Sequence, residues 1–458
     1  MSNKEIGYPP IGIHMFRDQR LTKKVKLSQL KRYPVDADDE DTRLKQEAIQ
    51  KEKLDIVNKV VEIDKLWREE RFKYDNLKME KNKMSKKIGE IMRNKDLTKD
   101  DKIEQRTQII TKAKEYEDKL NELTALHKKL ELERNMYICQ IGNICPENRG
   151  IVWSNNEDLS PIVREWSSGK MRNDDGLLNH IELVNKLGIV EDAVEISGSR
   201  SYFLKGLGCY LNQALINYGM EFLYNRGWEA KHCPFFMRKS QMSNCAQLKD
   251  YDEQLYKVTG EGEDKYLIAT SEQPLCCYFK GKTFDKGELP AKVCGYSTCF
   301  RKESGNTSDA KGIFRVHQFE KIEQFCVTEP DKSWEMMDEM LSNSEEFYQS
   351  LGLPYRVINV VSGELNNAAA QKYDLEAWFP GSGKFRELVS CSNCLDYQSR
   401  RLQTKINDDF VHMLNCTLTA TERTICCILE NYQTEEGVKI PEPLVRFMPN
   451  GTDFILFK

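Results

Sequence analysis

Net charge is nearly absent from this chain, although charged residues are abundant. They make up 31% of its 458 residues, yet the formal charge is only −4. That balance excludes a generally polybasic protein, so any contact with a polyanion must rest on a local patch. No apolar run is long enough to cross a bilayer, and the opening MSNKEIGYPPIG lacks the basic-then-apolar build of a signal peptide. A cytoplasmic protein without membrane contacts is expected. The 15 cysteines form no repeating framework. Cys276-Cys277 and Cys426-Cys427 sit in apolar segments as small buried hydrophobes, which fits a reducing compartment. Cys391 and Cys394 have no second pair at metal-binding distance, so no zinc is expected. Internal repeats and low-complexity tracts are missing too.

What is present changes character near residue 140. From 41 to 92, Ile49, Ile56, Ile63, Leu77, Met84 and Ile91 recur at one heptad position, with Val60, Trp67, Tyr74 and Ile88 at a second. A second series runs through Ile109, Tyr116, Leu123, Leu130 and Tyr137. Sustained heptads predict two coiled-coil arms of about fifty residues, and the polar connector 93–102 predicts that they fold back on each other, with Thr98 or Asp100 as N-cap. Lys81, Lys83, Lys86, Lys87, Arg93 and Lys95 make the approach to the tip basic. Such an arm either spaces domains or lies along a polyanion whose phosphates it neutralises.

The rest divides into an extension over 1–40, expected to be mobile, the arm over 41–140, a loop-like linker over 141–166 and a globular region over 167–458. In that region, strand-like runs at KYLIAT, FRVHQFEKIEQF, YRVINVV, YDLEAWFP and FRELVSC alternate with helical stretches at 204–227, 332–351 and 421–433. Strands in hairpins with helices grouped between them predict an α+β domain on an antiparallel sheet.

Four clusters could carry chemistry. In ATSEQP, Thr270 and Glu272 are two apart at a strand end, suited to hold an ammonium group, although a strand-to-helix cap reads the same way. In FRKESGNTSDAKGIFRVHQFEKIEQF, Arg301 and Glu303 share parity on one strand of a hairpin, as do Arg315, His317, Phe319 and Glu323 on the other. Arginine pairs with phosphate or carboxylate, and phenylalanine stacks on a base. In FRELVSCSNC, Glu387 and Ser390 offer oxygens to a divalent cation. In FVHMLNCTLTATERTICCILENYQ, a strand with Asn415 and Thr417 turns into a helix whose first turn holds Arg423. A cation there is easier to understand if it reaches an anion.

These clusters, in this order, resemble the catalytic core of seryl-tRNA synthetases of the eukaryotic cytosolic type, with SRSYFLKG, PFFMRK, EAWFPGSG and LENYQTEEG adding to the likeness. The resemblance implies a class II synthetase domain preceded by a tRNA-binding helical arm, acting as a homodimer. It implies that ATP and Mg²⁺ activate L-serine to seryl-adenylate, and that the seryl group passes to tRNA(Ser), and to selenocysteine tRNA as well. Carried over motif by motif, Arg301, Glu303 and Arg423 would be catalytic. Thr270, Ser271, Glu272, Arg301, Glu323, Asn415 and Thr417 would bind serine. Arg301, Lys302, Glu303, Val316, His317, Gln318, Phe319, Glu387, Leu388, Val389, Ser390 and Arg423 would bind ATP, with Glu387 and Ser390 on the metal. The six cations near the arm's tip would meet tRNA. Two departures stand out. The loop 304–311, SGNTSDAK, is short and lacks arginine, and Glu422 is expected to pair with Arg423 and weaken its hold on ATP.

Overall fold

The computed structural model describes residues 8–173, 176–245, 254–303 and 312–458. The short loop 304–311 lies outside them. Helix α1 is Gln19–Arg32, and the heptad arms form α2 (Glu40–Arg93) and α3 (Lys99–Ile138). Both arms start on a cap: Asp39 accepts from the Thr42 N–H and Thr98 from the Asp101 N–H. They are unequal, at 54 and 40 residues. The paired length is therefore about 60 Å at 1.5 Å per residue, less than two fifty-residue arms would give. Ile56, Val57, Val60 and Ile63 are buried near the root, while Leu77, Met84 and Ile91 further out are only half-buried.

The expectation of a mobile N-terminal extension is corrected over residues 8–32. Phe16 and Val25 join Ile56, Val57, Val60, Ile138 and Tyr397 in one apolar cluster, so α1 is part of the arm's root and of the globular body. Asp64 reinforces the joint, accepting from Arg17 at 2.9 Å, Arg68 at 3.1 Å and Arg134 at 2.8 Å. Burial works against its charge, but Arg17 and Arg134 hold the carboxyl below its ordinary range.

The globular part is built on an eight-stranded sheet. Its strands are β1 (Ile162–Trp166), β2 (Glu229–His232), β3 (Ala291–Phe300), β4 (Gln318–Thr328), β5 (Tyr355–Asn359), β6 (Gln371–Phe379), β7 (Lys384–Asn393) and β8 (His412–Ala420), in the order β1-β5-β6-β7-β8-β4-β3-β2. All neighbours run antiparallel except β2 and β3. The segment expected to be a linker thus ends in an edge strand. Helices α4 (Leu207–Tyr224), α6 (Ser333–Ser350) and α7 (Thr421–Tyr432) cover one face, and α5 (Glu272–Tyr278) lies on the other.

Strand alternation sorts the side chains. On β4, Ile322 and Cys326 join the core beneath the helices, and Gln324 donates to Met340 O and Ser344 Oγ of α6. Phe325 and Val327 join a second apolar cluster with Leu275 and Phe279. Lys321 and Glu323 share that second face but reach a cleft instead.

Candidate active site

The cleft encloses about 830 Å³ and opens into a narrower pocket, with Arg301, Lys321, Glu387, Ser390 and Thr417 lining both. That volume suits a small polar ligand joined to a larger one. Two β-bulges shape it. Leu375 pairs with Val389 but Glu376 with Glu387, so Leu388 is an extra residue in β7. Ile322 pairs with Thr419 but Glu323 with Thr417, so Leu418 is an extra residue in β8. Strict alternation would put Glu387 and Ser390, three apart, on opposite faces; the bulge turns both into the cleft.

One end of the cleft gathers Thr270, Glu272, Glu323, Asn415 and Thr417. Thr417 Oγ1 donates to Glu323 at 3.0 Å, and Lys321 Nζ lies 2.6 Å from the same carboxylate. Burial pushes the Glu323 carboxyl up, against the pull of Lys321. Gln398 holds Glu272 at 2.7 Å. Asn415 Oδ1 is buried and has no hydrogen-bond partner among the described residues, which leaves an acceptor for an incoming ammonium or hydroxyl group.

The narrower pocket is lined by Glu303, Phe314, Arg315, Val316, Phe319, Leu388 and Arg423. The β3–β4 ladder closes at the Phe300–Gln318 pair, so Arg301 and Glu303 lie just past β3, and Arg315 and His317 lie in bends just before β4, rather than within the strands. Arg301 Nε donates to Ala269 O at 3.2 Å, with its guanidinium 5.2 Å from the Phe319 ring centre. Arg423, in the first turn of α7, meets Glu387 at 3.4 Å and lies 5.0 Å from the Phe314 ring centre. Burial would raise the Glu387 carboxyl, but Arg423 and Lys372 hold it down. Opposite Ser390 on β6 stands Asp374. Burial, with Glu387 adding to it, pushes its carboxyl up to about 7 despite Lys372 at 3.1 Å. Asp374 Oδ1 has no hydrogen-bond partner among the described residues. No group of three His, Cys, Asp or Glu side chains that could hold a metal is found among them. Two carboxylates and a hydroxyl with an unfilled oxygen nevertheless suit a hard cation whose remaining ligands come from phosphate.

Several expected contributors point elsewhere. Ser271 Oγ donates to Gly295 O at 3.1 Å, and Val389 packs in the core beneath the helices. His317 Nδ1 is 2.9 Å from Arg301 O, and its ring meets Tyr256 edge-on. His317 and Gln318 line a separate hollow with Tyr202. The Lys302 N–H donates to Gln254 O at 2.9 Å, and its ammonium lies 5.9 Å from the Tyr256 ring. The expected Glu422–Arg423 pair does not form. Glu422 is buried and accepts from Tyr202 Oη at 2.7 Å, the Glu320 N–H at 3.0 Å and Thr421 Oγ1 at 3.1 Å, which leaves Arg423 to Glu387. On the arm, Lys81 pairs with Glu117 across the hairpin and Lys83 with Glu80, while Lys86, Lys87, Arg93 and Lys95 are exposed. Sequence reasoning missed Lys321, Lys372 and Asp374, though each shares strand parity with a cleft residue. It also missed the loop 363–368 on the cleft's rim, which carries no such signal.

Residues 256–432 match the tRNA synthetase class II core domain (G, H, P, S and T), and residues 35–145 the seryl-tRNA synthetase N-terminal domain. A cytoplasmic serine–tRNA ligase of Arabidopsis thaliana is 50% identical over 420 residues, covering 88% of this chain and 90% of the relative. That of Saccharomyces cerevisiae is 44% identical over 431 residues, covering 88% and 90%. Among solved structures, cytoplasmic serine–tRNA ligase of Naegleria fowleri in complex with AMP superposes with a TM-score of 0.84 at 46% identity, covering 98% of this chain and 99% of the other. Seryl-tRNA synthetase of Pyrococcus horikoshii complexed with ATP gives 0.86 at 32% identity, covering 98% and 100%.

Proposed function

The chain belongs to the seryl-tRNA synthetase family, and from that premise we propose how its residues divide the work. It is a serine–tRNA ligase that activates L-serine with ATP and charges tRNA(Ser). Selenocysteine tRNA is proposed as a second acceptor, and the cytoplasm, named for its relatives, as its location.

In the first step a serine carboxylate oxygen attacks the α-phosphorus, and the bond to the β-phosphate oxygen breaks, releasing pyrophosphate. A hydroxyl of the tRNA's terminal ribose then attacks the carbonyl carbon, and AMP leaves. Neither step needs a protein nucleophile, so catalysis is positioning and charge stabilisation. Arg301, which lines both halves of the site, lies between carboxylate and α-phosphate. Glu303 meets the adenine amino group, Phe319 stacks on the base, and Arg423 covers the other side and reaches the γ-phosphate. Thr270, Glu272, Asn415 and Glu323 take the serine ammonium and hydroxyl. Glu387 and Ser390, with Asp374 beside them, would hold Mg²⁺, which when bound would neutralise phosphate charge. Ser271, Lys302, His317, Gln318 and Val389 support these positions from behind. Lys86, Lys87, Arg93 and Lys95 meet tRNA phosphates.

The observation that carries this reading is the continuity of a small polar end, with its unfilled Asn415 acceptor, and a cationic, aromatic pocket through Arg301. The test is amino-acid-dependent ATP–pyrophosphate exchange with serine, threonine, alanine and cysteine in parallel. Exchange with serine alone is expected; equal exchange with threonine or alanine would refute the assignment of the polar end.

A further inference from the structure

The carbonyls of the loop 363–368 on the cleft's rim are held largely by groups from outside the catalytic half, while its N–H groups at 364, 365 and 368 bond within the loop's own neighbourhood. Arg32, in the last turn of α1, is buried; its Nη1 donates to Ala369 O at 2.9 Å and its Nη2 to Leu365 O at 3.4 Å and to Asn366 O. Asn143, just past α3, takes the two carbonyls between. Its N–H donates to Asn367 O at 2.8 Å and its Nδ2 to Ala368 O at 2.8 Å. Successive carbonyls from 365 to 369 are therefore all satisfied by two residues at the root of the arm. Tyr33 Oη adds a bond to Asn367 Oδ1 at 3.0 Å, and Ser362 Oγ one to Lys31 O at 2.6 Å. A Cβ on Gly142 would sit 2.4 Å from Arg32 Nε, so only glycine lets the guanidinium pass.

Loop backbone next to a polar cleft would ordinarily be hydrated and mobile. Here its conformation, and with it where Glu364, Asn366 and Asn367 stand in the cleft, is set by how the root is docked. We infer that Arg32 and Asn143 are positioning residues through which the root of the arm fixes one wall of the cleft that contains the amino-acid end. Neither lines the cleft, and both act through main-chain carbonyls. The inference rests on assigning that end to serine.

Arg32→Lys keeps the charge but cannot span three carbonyls, and Asn143→Asp is isosteric but replaces the donor to Ala368 with an acceptor. Pyrophosphate exchange on each variant, with active sites counted by a single-turnover burst and folding followed by thermal denaturation, separates positioning from stability. The expected result is a serine KM raised about fivefold or more with the ATP KM within about twofold. A purely structural role would lower the active fraction and leave both KM values in place, and that outcome overturns the inference. So would an equal rise in both. If Arg32→Lys does not fold, Asn143→Asp decides alone. Absence of serine-dependent exchange in the unaltered chain would instead count against the functional assignment.

Discussion

Glu422 shows how one side chain can sit beside an arginine of the cleft and leave it untouched. Its carboxyl is pushed up to about 7 by burial, with hydrogen bonds from the Glu320 N–H and Tyr202 opposing and the Glu320 carboxylate adding to the rise. A carboxyl whose folded value lies above its ordinary 4.5 binds a proton more tightly in the folded chain. Stability is then greatest below about pH 4.5 as far as this group is concerned, and falls as pH rises toward 7. The loss is on the order of 3 kcal/mol for a shift of this size. Glu422→Gln should unfold less readily than the parent at pH 8 and about equally at pH 5, as followed by chemical denaturation at both values. Glu323 is a different case, because Lys321 lies 2.6 Å from its carboxylate. Glu323→Ala should raise the serine KM by about tenfold or more and leave the ATP KM nearly unchanged. Equal loss for both substrates in exchange assays would remove Glu323 from the hydroxyl's place.

At the level of elements, both bulges were invisible in the sequence. Heptads, caps and strand-like runs are local patterns, and they located α2, α3, β5, β6, β7 and α7 closely, whereas β3 ends at Phe300 and β4 starts at Gln318, so the charged residues of the expected hairpin fall outside both strands. Parity within a strand would also have grouped Lys321 with Glu323, a signal left unused. Parity fails at a bulge, however, because the extra residue is defined only by its register against a partner strand. The shared face of Glu387 and Ser390 depends on Leu388 being unpaired against β6. Glu422 could not be placed because its partners Tyr202 and Glu320 lie 220 and 102 residues away. The arm's root escaped notice because the residues before 35 carry weak helical periodicity and gain burial against α2, α3, Tyr397 and the loop at 365–369, none of them local in sequence. That root also bears on how the arm should be tested. Removing all of 41–140 would strip the apolar cluster shared with α1, whereas replacing 82–116, beyond the Lys81–Glu117 pair, with a short turn leaves it intact. The shortened chain should keep pyrophosphate exchange near the parent rate while tRNA(Ser) aminoacylation falls by an order of magnitude or more. Charging at full rate would show that the tip is not used.

For the molecule as a whole, Tyr210 and Tyr224 on α4 are 52% and 72% exposed, and Phe236 and Tyr278 are 51% and 62% exposed. Large aromatic surfaces of this kind favour association, and a homodimer is the proposed state. Sedimentation velocity should give twice the 53.3 kDa chain mass, and a single species at the chain mass would exclude it. Arg32 also orders the birth of the molecule in time. The arm can zip up from local contacts as soon as it leaves the ribosome, but the carbonyls that Arg32 grips at 365 and 369 lie 333 and 337 residues downstream. Counted from the end of α3 at Ile138, translation at roughly 5–20 residues per second needs on the order of 10–45 seconds to supply them. For that interval the nascent chain carries a finished lever on an unfinished hinge, with a guanidinium still in water that will later be sealed inside. Completion of the cleft wall thus waits for most of the chain, and a chain truncated before residue 365 has the arm but lacks the loop that Arg32 grips.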